Sequence, residues 1–354
     1  MRKFIFKTFI LLFPIILIIG LTELFYLTNN GDLLRLGYLV HANNYDKNKI
    51  FKKEFERDIY FTKISEIDIS KQHKFDILII GDSFSEQNEF GYKNYLAENN
   101  DISVLHYDRK LHENGTAYPI NTLSSLINGD VLDNLNVDYI ILETVERSFA
   151  GSIRDFDVDG RVSLDSLKLL IKQSEKIKIN KKPYRLFSNR YKTILTKNIN
   201  YLYDDNAFDS ETYKVATSEN LFSINKNELL FYYYDLTNIA ISNNMANHIQ
   251  LNKDLNILSK KLARNKTKLI VMFAPDKYDI YYEYITDKSK YPEPFFFDYF
   301  EKIQNKDYFY IDAKNLLNKY IPNKKDIYFY DDTHWSPWAS QIIAKELENI
   351  VNNN

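Results

Sequence analysis

Lys74-Phe75-Asp76-Ile77-Leu78-Ile79-Ile80-Gly81-Asp82-Ser83-Phe84-Ser85-Glu86 decides the reading of this chain. The apolar, β-branched run from Ile77 to Ile80 has the length and composition of a strand buried on both faces, as in a parallel sheet. Gly81 lets the backbone turn at the strand's carboxyl end, where open α/β sheets place their ligands. Ser83 follows, with backbone N–H groups nearby. Taken alone, Gly-Asp-Ser is more often only a turn followed by an N-cap. The far end of the chain adds Tyr330-Asp331-Asp332-Thr333-His334-Trp335-Ser336-Pro337. A serine hydroxyl needs a base to become a nucleophile, and the base needs an orienting carboxylate. Asp332-Thr333-His334 supplies both within one turn.

Strands and helices alternate around this run. Tyr92 to Glu98 suits a helix and Ile102 to Tyr107 a second strand. The loop Leu111-His112-Glu113-Asn114-Gly115-Thr116-Ala117-Tyr118-Pro119 precedes another helix. A third strand, Val137 to Leu142, ends at Glu143-Thr144-Val145-Glu146-Arg147. Residues 148–252 break the rhythm and read as an insertion, within which Leu229 to Tyr234 has the composition of an edge strand. A helix around Leu255–Ala263 restores it, followed by the strand Lys268–Ala274 that ends at Pro275-Asp276-Lys277. Tyr308–Asp312 reads as a strand and Ala313–Tyr320 as a helix. Ser336 as N-cap and Pro337 at the first helical position open a final helix to about Val351. The alternation predicts an α/β fold with a mostly parallel sheet. Right-handed crossovers then bring the loops around Ser83, Arg147 and Lys277 to one sheet edge.

The chain has 354 residues and a net charge of −2, which gives no electrostatic case for nucleic acid. It has no cysteine, which excludes disulfides, thiolate metal sites and cysteine nucleophiles. Arg2, Lys3 and Lys7 precede the apolar run Phe9 to Leu21, with Glu23 beyond it. That flank predicts a cytoplasmic N-terminus and a body outside the cytoplasmic membrane. A cleaved signal peptide is the alternative, but Thr22-Glu23-Leu24-Phe25-Tyr26-Leu27 is too bulky for a small-x-small cleavage site. Residues 1–28 therefore read as a single anchor, 29–71 as a stalk and 72–354 as the globular domain. His41, His73, His106, His112 and His248 lack the spacing of a zinc site, so no metal or other cofactor is expected.

Gly81-Asp82-Ser83 near the start of the domain and the Asp/His pair at its end resemble the SGNH (GDSL-type) hydrolase superfamily. The closer resemblance is to the SGNH-like domains of the alginate O-acetyltransferase family, the AlgJ/AlgX type. It rests on Asp332-Thr333-His334-Trp335, on Pro275-Asp276-Lys277 with Tyr281, and on Glu146-Arg147. It covers roughly residues 72–150 and 255–350. Here the serine comes first and the Asp/His pair last, whereas the alginate proteins are permuted. The superfamily's Gly-x-Asn-Asp block is replaced by Glu143 to Arg147.

The resemblance implies a flavodoxin-like three-layer fold and a Ser83–His334–Asp332 triad. Ser83 would carry the acyl group, with the N–H groups of Ser83 and Gly115 as oxyanion donors. Arg147, Lys277, Tyr281 and Trp335 are the expected substrate-binding residues, with surface charge and packing as the plainer explanations. The implied activity is O-acetyl transfer onto an envelope or secreted polysaccharide, fed by a multispanning membrane O-acyltransferase. The alternatives are a carbohydrate O-acetyl esterase and a non-catalytic glycan-binding subunit of an export complex.

Overall fold

A computed structural model describes residues 1–27, 31–40, 45–46, 48–55, 57–98, 102–113, 116–129, 131–176, 190–224 and 226–353. Among them run β1 (Thr62–Lys63), β2 (His73–Ile80), β3 (Val104–Tyr107) and β4 (Leu135–Val145). After these come β5 (Thr212–Ala216), β6 (Glu228–Tyr232), β7 (Lys268–Ala274) and β8 (Phe309–Asp312). Six of them form one sheet in the order β1-β3-β2-β4-β7-β8, with every pairing parallel. Apart from the two-residue β1, this is the flavodoxin-like strand order, and its switch point lies at β2. The expected α/β fold with a parallel sheet is therefore present.

The strand pleat divides the core in two. Ile77, Ile79, Ile141, Ile270 and Met272 point to one face, and Leu78, Ile80, Ile140, Leu142 and Val271 to the other. Each of Ile77 to Ile80 has no exposed surface, and burying such a side chain contributes about 1.5–3 kcal/mol. This is why the run reads as continuous rather than alternating. On the first face lies the helix Pro337–Asn353, which presents Ala339, Ile343 and Leu347 at helical spacing. On the second lies Met245–Ala263, through Leu251, Leu255 and Leu258. Ser336 caps the final helix: its hydroxyl accepts the Trp338 N–H at 3.2 Å.

One strand falls elsewhere than the sequence indicates. β6 is not an edge of the main sheet; it pairs antiparallel with β5 in a separate two-stranded sheet. Phe231 stacks on Tyr213 at 5.0 Å and meets Tyr278 at 5.1 Å. The hairpin thus buries its apolar face against the helix that follows β7.

The helix Arg2–Leu27 is long and apolar enough to cross a membrane, with a mean hydropathy of 2.6 over its apolar window, none of which is buried among the described residues. Its carboxyl end meets the body, where Glu23 lies 3.3 Å from Arg190. Part of the stretch read as a stalk also rests on the body. Leu33 and Leu34 are buried, the Leu33 carbonyl accepts the Thr212 hydroxyl at 2.7 Å, and the Tyr38 carbonyl accepts the Asn198 amide at 2.8 Å.

Candidate active site

The turn after β2 is fixed from beneath by a buried acid. Glu143 Oε2, from β4, accepts the Asp82 N–H at 3.1 Å and the Ser85 hydroxyl at 2.7 Å. Burial first, and the Asp82 charge second, push the Glu143 carboxyl well above the usual range. Asp82 in turn accepts the N–H groups of Phe84, at 3.0 Å, and of Val145, at 2.6 Å. Gly81 is required for room rather than for an unusual backbone angle. A Cβ there would collide with Ser85 Oγ and lie 2.6 Å from Glu143 Oε2, and no described glycine has a positive φ. Gly81→Ala is expected to cost about 1–3 kcal/mol by overpacking, read as a lower Tm, and to displace Ser83. A Tm within a degree of wild type would contradict this.

The second half of the site is the loop after residue 326. His334 Nδ1 lies 2.6 Å from Asp332 Oδ1, and the same oxygen accepts the His334 N–H at 3.2 Å. His334 Nε2 is buried and has no hydrogen-bond partner among the described residues. Ser83 and His334 line the same cleft, of about 340 Å³, although no hydrogen bond joins them. Asp332, Glu86, Gln87, Phe90, Arg109 and Phe329 complete its walls. The serine turn and the Asp/His loop are held together directly. Phe84 packs 4.9 Å from the His334 ring and 4.8 Å from Trp335, and the Gln87 amide donates to the Trp335 carbonyl at 2.8 Å.

The four expected substrate-binding residues lie inside the fold. Lys277 is fully buried, and its ammonium donates to the carbonyls of Phe329 and Tyr330, both at 2.7 Å, and of Asp332 at 3.2 Å. Burial pulls it down to about 7, against the pull of Asp331, Asp32 and Asp332. Three carbonyls aimed at one cation clamp the loop that carries His334. Arg147 pairs with Asp235 at 3.0 Å and with Asp276, away from the cleft lining. The Tyr281 hydroxyl accepts the Tyr328 N–H at 3.2 Å. Trp335 is buried between Phe84 and Tyr92, as packing. Gly115 lies outside the described residues. His112, in the same loop, is buried on Tyr107 with ring centroids 6.0 Å apart, and burial lowers it to about 4.

Three residues of the site had no signal in the sequence reading: Glu143, Arg109 and Asp32. Asp32 accepts both the N–H and the hydroxyl of Thr333, at 2.8 and 2.7 Å. Among the described residues, Asp32, Asp332 and His334 form the one acidic/histidine group whose ligand atoms lie within 4.8 Å of one another. Within it, His334 Nδ1 and Asp332 Oδ1 stand at hydrogen-bond distance, 2.6 Å.

A flavodoxin-like sheet with a serine turn after its first main strand and an Asp/His loop before its last helix is the arrangement that the resemblance to SGNH-like domains implies. Residues 227–354 match the family model described as SGNH hydrolase-like domain, acetyltransferase AlgX. The match takes in Lys277, Tyr281 and the Asp/His loop, and supports an acyltransferase- or esterase-like enzyme. It leaves the Gly81-Asp82-Ser83 turn outside its bounds. No curated protein and no solved structure matches the chain.

Proposed function

We propose that this protein is a membrane-anchored O-acetyltransferase, its domain outside the cytoplasm, that acetylates a cell-envelope or secreted polysaccharide through an acyl-serine intermediate. The observation that carries the reading is the His334 ring: Nδ1 engaged by Asp332, Nε2 uncommitted, in the cleft that Ser83 also lines. In this scheme His334 Nε2 takes the Ser83 proton as Oγ attacks an acetyl carbonyl, and Asp332 stabilises the imidazolium. The Ser83 N–H is the first oxyanion donor. The bond to the donor oxygen breaks, and that oxygen leaves with the proton from His334. A sugar hydroxyl then gives its proton to His334 and attacks the acyl-serine; the acyl–Oγ bond breaks, and Oγ takes the proton back from His334, which restores Ser83. The acetyl group comes from a multispanning membrane O-acyltransferase, and the helix Arg2–Leu27 keeps the domain beside it. The AlgX-type match supports transfer over hydrolysis.

The test uses the full chain in detergent with an activated acetyl ester, with and without envelope oligosaccharides, and follows acetylated product by mass. An acyl-enzyme partitions by how well water and acceptor are oriented, an effect that can reach ~7–11 kcal/mol. A matching oligosaccharide should therefore speed donor consumption by about tenfold or more. Fast hydrolysis that no acceptor changes, together with acetate release from acetylated glycan, would make the protein an esterase.

A further inference from the structure

Asp32 reaches the Asp/His loop from far outside it, 301 positions before Thr333. One carboxylate oxygen accepts the Thr333 N–H at 2.8 Å, and the other accepts its hydroxyl at 2.7 Å. The second oxygen also lies 4.0 Å from His334 Nδ1, the atom Asp332 holds at 2.6 Å. One imidazole nitrogen therefore faces two carboxylates. Thr333 is the residue between the two members of that pair, so its peptide cannot rotate without breaking both bonds to Asp32.

The frame around Asp32 is rigid. A Cβ on Gly31 would collide with the Asp331 carbonyl, and the Leu33 N–H donates to that same carbonyl at 3.1 Å. Leu33 and Leu34 are buried in the core, and the Tyr45 hydroxyl accepts the Tyr330 N–H at 3.0 Å. The loop is thus joined through Tyr330, Asp331 and Thr333 to Tyr45, Leu33 and Asp32.

We propose that Asp32 is a positioning residue of the active site, which locks Thr333 so that His334 stays on Asp332 and adds a second negative charge beside the imidazolium. This rests on His334 acting as the general base. Burial and the Asp332 charge push Asp32 up, while His334 and the two Thr333 bonds pull it down. The other groups that face this pair are Asp331 on the same loop, Lys277 beneath it, Tyr45 beside it, and Arg147 behind it. Glu86 and Arg109 stand across the cleft. With the Asp32 charge removed, the imidazolium formed in the reaction keeps one carboxylate neighbour instead of two and is less favoured.

The experiment compares the full chain in detergent with Asp32→Asn and Asp32→Glu, using p-nitrophenyl acetate across pH. It adds an NMR titration of the His334 ring, which needs no turnover. Asn keeps the shape and an acceptor for the Thr333 N–H. Expected for Asp32→Asn are a ten- to hundredfold lower kcat with little change in KM, and an acid limb about one pH unit lower. Glu should recover part of the rate, and the NMR midpoint should move with the limb. A wild-type limb and midpoint in Asp32→Asn overturn the proposal. If wild type forms no acyl-serine but the midpoint still moves, the reaction assigned above fails and the role of Asp32 stands. Should Asp32→Asn lose the wild-type thermal transition, Asp32→Ser carries the same comparison.

Discussion

Ser83→Ala should form no covalent acetyl adduct with an activated ester, where the wild-type chain gains one acetyl group by intact mass. The expectation follows from the cleft, where Ser83 faces the same space as the uncommitted nitrogen of His334. Asp332→Asn should then lower kcat by about four orders of magnitude, because an amide in place of the carboxylate favours the wrong imidazole tautomer. Asp331→Asn should cost little by comparison, since the carboxylate on His334 Nδ1 is that of Asp332. The adduct is read by mass and the rates by steady-state kinetics on purified full-length variants. An adduct that persists in Ser83→Ala would remove the serine from the mechanism. Exchanged behaviour of the two Asp variants would move the orienting role to Asp331.

Arg147→Met should be the most destabilising of the single changes, at about 3–5 kcal/mol, because it strands the buried carboxylates of Asp235 and Asp276. Its cost should also depend on pH. Burial first, and carboxylate neighbours second, hold Glu146 and Asp276 well above their usual range. A carboxyl whose folded pKa exceeds its unfolded value keeps its proton longer in the native state, so stability falls as pH rises through that window. Without the guanidinium, Asp276 is pushed further in the same direction. Denaturant titrations should therefore show a larger loss at pH 8 than at pH 5, and Asp235→Asn added to Arg147→Met should return part of it. An equal loss at both pH values would mean that these carboxylates are not the source.

What the sequence made legible was local. β2, its glycine and the serine are contiguous, and Asp332 and His334 are two residues apart, so apolar runs and short spacings located both halves of the site. The placing of Lys277 and Arg147 at strand ends was equally readable, because right-handed crossovers bring those ends to one edge. Their burial was not. A lysine caged by three carbonyls from a loop more than fifty positions later carries no mark in its own neighbourhood. Arg147 looks like a surface charge until Asp235 and Asp276 close on it. Glu143 was read as the start of a loop, whereas β4 continues to Val145 with the acid paired to the serine turn. Asp32 lies in a polar stretch whose sequence gives no reason to place it against residues at the other end of the chain.

Under the proposed anchoring, the contact between Gly31 and Asp331 also sets how far from the membrane the proposed chemistry occurs. The apolar helix ends at Leu27, and four Cα–Cα steps of about 3.8 Å separate that residue from Gly31, a reach of at most about 15 Å. For a helix that crosses the bilayer, Asp331, and with it the loop that carries Asp332 and His334, is then held within about 15 Å of the helix end, near the membrane surface. A polymer would have to graze that surface to be modified, and an acetyl group emerging from a neighbouring membrane protein would have almost no distance to travel. A flexible spacer inserted between Leu27 and Gly31 would free the cleft to wander without touching one of its residues, and would separate the proposed anchor's role as a tether from its role as a ruler.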